Sequence, residues 1–126
     1  MFGKLRKTTV GRRAKRVSAD FYLNKIIADQ PHLARVRDIS TQGMYVYKIL
    51  EPTITPENNQ VGLEFQLPES DHIIWAVGEI VRDEPAVARK NNKLVNGVAI
   101  RFLRIDEPDR RAIAAYVAKN LATHAA

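Results

Sequence analysis

Residues 96–121, NGVAIRFLRIDEPDRRAIAAYVAKNL, change period half-way along. Up to Ile105 the pattern is two-fold: Val98, Ile100 and Phe102 fall on one face, as in a strand with one buried side. From Asp106 onward it is helical, with Ile113, Tyr116, Val117 and Leu121 along one stripe. Asp106 suits the N-cap, Pro108 the first turn, and Asp109 adds negative charge where the helix dipole favours it. The stripe reads as core packing. A strand running into one amphipathic helix needs a sheet for that helix to cover, so the rest of the chain should supply strands.

It does. Residues 72–84, HIIWAVGEIVRDE, form a long strand carrying Trp75, the only tryptophan. VGLEFQLP (61–68) alternates, with Val61, Leu63, Phe65 and Leu67 on one face. MYVYKIL (44–50) is β-branched and aromatic, and LARVRDI (33–39) is a further strand. In VSADFYL (17–23), Val17, Ala19, Phe21 and Leu23 oppose Ser18, Asp20, Tyr22 and Asn24. Between them lie a turn at ADQPHL (28–33), where Pro31 breaks the chain, and a tight turn at DISTQG (38–43). EPTITPENNQ (51–60) is a loop and EPAVARKNNK (84–93) a polar connection. Six short antiparallel strands and one helix predict a mainly β fold, a small closed or nearly closed barrel with the helix over one opening or edge.

The chain has 126 residues, the size of a single domain. It contains no cysteine, which excludes disulfides, thiolate metal sites and a cysteine nucleophile and is compatible with a reducing cytoplasm. His32, His72 and His124 show no metal-ligand spacing. No apolar run approaches the roughly 18 residues of a membrane span, and no apolar segment follows the basic N-terminus as in a secretory signal. The net charge of +6 is concentrated: residues 1–16 carry +7 and no acid, the remainder −1. A basic arm on a near-neutral body predicts an anionic partner. There is no nucleophile–base pair, Walker-type loop or acidic metal cluster. Asp83 with Glu84, and Asp106 with Glu107, sit beside prolines and read as turn and helix-start residues. The expectation is a binding protein, not an enzyme, with no cofactor.

Two stretches carry chemistry. RRAKR (12–16) places Arg12 and Arg16 in an Arg-x-x-x-Arg spacing next to the first strand. Guanidinium forks pair bidentately with phosphate and with the O6/N7 edge of guanine, and stack on flat rings. DISTQG (38–43) is an Asp-x-Ser-x-x-Gly turn. The Asp38 carboxylate can accept from the N–H groups of a guanine edge, the Ser40 hydroxyl can reach a phosphate or sugar oxygen, and Gly43 permits a tight turn or close approach.

In order and separation these stretches resemble the PilZ domain, a bacterial receptor module for cyclic di-GMP. The resemblance covers roughly residues 11–120, with NGVAIRFLRI and the following helix matching the family's closing strand and C-terminal helix. It implies a six-stranded antiparallel PilZ-type β-barrel with a C-terminal α-helix, divided into a flexible basic arm (1–10) and a PilZ domain (11–126). It also implies that Arg12 and Arg16 contact the phosphates and guanines, Asp38 a guanine edge, and Ser40 a position near a phosphate or guanine, with Gly43 allowing the turn. Arg13, Arg35 and Arg37 are auxiliary candidates. Gly11 stands where many members carry another arginine, which leaves one ligand or a stacked pair open.

The expected function is that of a cytoplasmic cyclic di-GMP receptor. Ligand would order the arm and so present a new surface to an unidentified protein partner, in trans. One alternative is a nucleic-acid-binding small barrel in which Tyr22, Tyr45 or Tyr47 stack on bases; the balanced charge outside the arm disfavours it. The other is a PilZ-like adaptor that works by protein contacts without ligand.

Overall fold

The structure, a computed structural model, describes residues 14–48, 59–87 and 91–125, the last three of them by backbone only. The arm, Arg12, Arg13 and most of the loop at 51–60 lie outside the described residues. The elements in chain order are β1 (Val17–Ile27), β2 (Gln30–Ile39), β3 (Gly43–Lys48), β4 (Gln60–Gln66), β5 (Ile73–Asp83), β6 (Ala86–Val87), β7 (Leu94–Val95), β8 (Gly97–Ile105) and α1 (Glu107–Ala125). Six strands form a closed barrel in the order β1-β2-β3-β8-β5-β4, all neighbours antiparallel. Closure removes the exposed edges that a short-stranded sheet would otherwise present.

The two-residue alternation fills the barrel. Val17, Phe21 and Leu23 of β1 meet Val61, Leu63 and Phe65 of β4, Ile74 of β5 and Val98, Ile100 and Phe102 of β8 in one buried cluster. Helix α1 closes one end. Ile113 and Val117 are buried in that cluster, and Tyr116 packs edge-on against Phe21, which itself stacks on Phe65. Each such buried side chain contributes about 1.5–3 kcal/mol, so helix and barrel share a single core. Among the described residues no helix is long and apolar enough to cross a membrane.

Two features differ from the sequence reading. First, β2 begins at Gln30, three residues earlier than expected, and includes Pro31. Ala28 and Asp29 both adopt positive φ, 52° and 63°, so β1 and β2 join through a two-residue hairpin turn. Pro31 is the second residue of β2, where it pairs with Ile26 of β1, and a proline is tolerated at the start of a strand. Second, the connection after β5 is not plain loop. β6 and β7 pair as a short ribbon, and Tyr45 and Tyr47 of β3 fasten it by donating to the carbonyls of Glu84 (2.6 Å) and Val87 (3.3 Å).

The helix N-terminus is tied to the barrel by polar contacts. Asp109 is buried, accepts a hydrogen bond from the Trp75 N–H (3.3 Å), and has the ring of His72 on its other oxygen. Arg110 donates to the Thr41 carbonyl at 2.8 Å, joining α1 to the β2–β3 turn. Replacing Asp109 with Ala leaves the Trp75 N–H unpaired and removes a carboxylate from the helix N-terminus. The expected cost is about 1–3 kcal/mol, read as a lower urea midpoint with an unchanged m-value.

Candidate ligand-binding groove

Bulges place the groove's side chains. Between β1 and β2 the register steps from Ser18↔Asp38 to Phe21↔Val36, and between β2 and β3 from Val36↔Val46 to Asp38↔Tyr45. Arg37 is thus the extra residue of β2. Val36 and Ile39 both point inward, so Arg37 and Asp38 are consecutive residues on the outer side. On β5 the register with β8 steps from Ile80↔Ile100 to Arg82↔Ala99, which makes Val81 the extra residue and leaves Val81 and Arg82 both exposed. Bulges bend a strand and re-aim its side chains, and these flank the β3–β8 pair on either side.

Asp38 lies between two arginines. Arg16 donates to Oδ1 at 2.6 Å and Arg37 to Oδ2 at 2.9 Å. The Arg37 guanidinium also lies 5.9 Å from the centroid of the Tyr45 ring. The carboxylate is mostly buried (13% exposed), whereas Arg16 is 47% exposed, so the carboxylate is the fixed member of that pair and Arg16 the movable one.

The turn after Asp38 is built by Ser40. Its hydroxyl accepts from the amides of Gln42 (3.0 Å) and Gly43 (3.3 Å), and its own amide donates to the Gly43 carbonyl (2.8 Å). Ser40 is buried, so its first task is to hold the turn. Gly43 pairs directly with Arg101 of β8. A Cβ at Gly43 would sit inside van der Waals contact of the Ile100 carbonyl oxygen and 3.1 Å from the Arg101 Cα, so β3 approaches β8 this closely only with glycine there.

These elements enclose an open groove of about 490 Å³, within the usual range for small-molecule sites. Arg16, Ser40, Gln42, Val81, Arg82 and Arg101 are among its lining residues. Of the residues singled out in the sequence, Arg16 and Ser40 line it, Gly43 shapes its wall, and Asp38 stands beside it as the partner of Arg16. Arg37 is joined to the groove through Asp38. Arg35 is elsewhere: it pairs with Asp20 at 2.8 Å on the outer wall of β1 and β2. Arg12 and Arg13 lie outside the described residues. Sequence reasoning missed Val81, Arg82 and Arg101, which come from β5 and β8. Arg101 pairs with Glu79 and Arg82 with Glu84, so each reads as an exposed strand residue until the fold brings both to Ser40. Of the tyrosines, Tyr45 is buried, Tyr47 donates its hydroxyl to the Val87 carbonyl, and Tyr22 is exposed on another wall.

The fold is a small antiparallel barrel with an arginine-lined groove beside a helix-anchored turn. A family model for the PilZ domain matches residues 11–119, and the chain belongs to that family. PilZ domains are binding and adaptor modules rather than enzymes. No curated protein matches the sequence. Among solved structures, the Bacillus subtilis inhibitor of motility MotI/DgrA is similar with a TM-score of 0.69 and 17% identity, over 89% of this chain and 52% of that one. The PilZ domain of Escherichia coli YcgR with c-di-GMP has a TM-score of 0.65 and 16% identity, over 90% of this chain and 93% of that one. The Borreliella burgdorferi PlzA protein in complex with c-di-GMP has a TM-score of 0.63 and 16% identity, over 94% and 55% respectively. These likenesses show the fold. The chain spans about half the length of MotI/DgrA and of PlzA.

Two outcomes follow from the groove's construction. Gly43→Ala forces β3 away from β8 and is expected to cost about 1–3 kcal/mol or more, measured by chemical denaturation. Burial, and Tyr47 beside it, hold the Tyr45 phenol above its ordinary value of 10.0. The folded state therefore keeps a proton that the unfolded state loses first. That stability is present below the unfolded value and is lost as pH rises through the folded one. Tyr45→Phe should make the alkaline fall in urea midpoint shallower.

Proposed function

We propose that this chain is a cytoplasmic cyclic di-GMP receptor that signals to a separate protein partner. The observation that carries the reading is the Asp38 carboxylate, both oxygens held by arginines, beside a groove that Arg16, Arg82 and Arg101 line. Membership of the PilZ family, and the c-di-GMP complexes of similarly folded YcgR and PlzA, support the same ligand.

The chemistry fits a cyclic dinucleotide. Its two phosphates need cationic forks, and its guanines need an acceptor for the N1–H and N2–H groups. In the structure the Arg16 fork donates to Asp38. On binding, the Arg16 fork moves to a phosphate or a guanine face and frees Oδ1 for a guanine edge, while Arg37 keeps Oδ2 and holds the carboxylate in place. One charge-assisted hydrogen bond is exchanged for others, so the desolvation of Asp38 is not incurred anew. Ser40 keeps the turn rigid and presents its oxygen near the ligand. Val81 gives an apolar surface for a base, and Arg82 and Arg101 add positive charge. Arg12, together with Arg13, closes on the ligand from the arm. The arm's ordering is then the signal, a disorder-to-order switch that a partner can read.

Titration calorimetry tests this, with GTP and a short oligonucleotide as controls. Cyclic di-GMP should bind at tens of micromolar protein and the controls should not. Arg12→Ala and Arg16→Ala should each weaken binding by at least about tenfold, the loss of one charged hydrogen bond of about 1.5–3 kcal/mol. Arg35→Ala should leave binding unchanged. No heat with cyclic di-GMP refutes the receptor reading; full affinity in both arginine variants refutes the site. Tryptic cleavage at Arg12 and Arg13 should slow with ligand, and unchanged cleavage contradicts arm ordering.

A further inference from the structure

We infer that Tyr45 is a positioning residue for guanine recognition: it fixes the Asp38 carboxylate through Arg37 and is itself fixed by the root of the β6–β7 ribbon. This rests on the receptor reading above and adds to it a residue that sets the base preference. Tyr45 alternates with Met44 and Val46, whose side chains fill the barrel, so its ring stands on the outer side of β3. Outer side chains of a barrel ordinarily face water, yet only 8% of Tyr45 is exposed. Three contacts seat it. Its hydroxyl donates to the Glu84 carbonyl at 2.6 Å, its ring meets the Tyr47 ring edge-on at 5.6 Å between centroids, and the Arg37 guanidinium lies over it at 5.9 Å. Gly97 leaves room for the phenol, since a Cβ there would stand 2.5 Å from the Tyr45 hydroxyl oxygen. A buried phenol needs a partner for its O–H, and the ribbon root supplies it.

Strand register puts this arrangement under the site. Tyr45 is the direct partner of Asp38 across β2 and β3, and Arg37 is the bulge residue before Asp38. Arg37 therefore bridges the two: it donates to Oδ2 at 2.9 Å, and the ring attracts its charge. Once Arg16 has moved to the ligand, Arg37 is the fork that stays on Asp38. The direction of Oδ1 toward the guanine N1–H and N2–H then depends on where Arg37 is held, and Tyr45 holds it. The phosphates are served differently. Arg16, Arg82 and Arg101 pair with Asp38, Glu84 and Glu79, and none of these pairings runs through the Tyr45 ring. Loss of the ring thus loosens the grip on the base and spares the grip on the phosphates. Its signature is a loss of base preference, not a uniform loss of affinity. The sequence offered Tyr45 as a ring for stacking on bases; buried beside Arg37, it acts on the base at one remove.

Titration calorimetry with cyclic di-GMP and with its inosine analogue, which lacks only the guanine N2 amino groups, reads this preference. The unmodified protein should favour the guanine ligand by about tenfold or more, the worth of one charge-assisted hydrogen bond. Tyr45→Leu should cut that preference at least about threefold, with little change toward the inosine analogue. Tyr45→Phe, which keeps the ring, should restore most of it. Tyr22→Leu, on the exposed wall that Tyr22 shares with Leu33 and Trp75, should behave as the unmodified protein. A second measurement needs no ligand: nuclear magnetic resonance of the Arg37 guanidinium should show hindered rotation about Nε–Cζ, faster in Tyr45→Leu and unchanged in Tyr45→Phe. If Tyr45→Leu fails to fold, a ring-fluorinated phenylalanine at position 45, similar in shape but without the negative ring face, takes its place. Equal loss of affinity for both ligands, an unchanged preference, or Arg37 rotation indifferent to the ring overturns the proposal alone. Absence of cyclic di-GMP binding by the unmodified protein refutes the receptor reading and the proposal with it.

Discussion

Six short strands close into a barrel only if each pairs on both sides, and that requirement governs the rest of the molecule. Pairing on both sides while curving through a full turn demands local bends, which the bulges in β1, β2 and β5 provide. The same bends create the groove. An unbulged β2 would send Arg37 and Asp38 to opposite faces. The bulge keeps both outside, where one carboxylate can hold two guanidiniums. On β5, the bulge at Val81 turns an apolar side chain and Arg82 into the groove instead of alternating them across the wall. Gly43 belongs to the same constraint, since β3 meets β8 there more closely than a Cβ permits.

The groove is prepared rather than merely exposed. Asp38 is held at both oxygens, Ser40 has its hydroxyl committed to its own turn, and Arg110 fastens that turn to α1 through Thr41. Mobility is left to the long, half-exposed side chains, above all Arg16. A ligand bound as proposed would meet a held acceptor and half-exposed donors, which lowers the ordering cost of binding. The helix is tied to the barrel by its buried Asp109, and its Arg110 fixes where the β2–β3 turn stands.

Much of this was legible in the chain's periodicities. Six barrel strands, their inward faces and the C-terminal helix follow from alternation and its change at Asp106. The two motifs follow from residue type and spacing. What stayed hidden has physical causes. A bulge is one residue of altered register with no side-chain signature, so IIWAVGEIVRD reads as an unbroken strand. Pro31 reads as a breaker because its place at the start of β2 is set by the hairpin turn before it. Ala28 is an unexpected residue for positive φ, which concealed the hairpin turn. Lys25 is fully buried at an inward position of β1, where a lysine in an alternating run reads as solvent-facing. Arg82 and Arg101 are distant in sequence from both motifs, and only the pairing of β5 and β3 with β8 brings them to Ser40.

Amide chemical-shift mapping of the labelled protein titrated with cyclic di-GMP tests the central claim most directly, because it locates the ligand. The account predicts the largest shifts at Arg16, Asp38 to Gly43, Val81, Arg82 and Ala99 to Arg101, with Tyr22, Leu33 and Trp75 unmoved. Shifts centred on the Tyr22–Trp75 wall, or none in the groove, would contradict it.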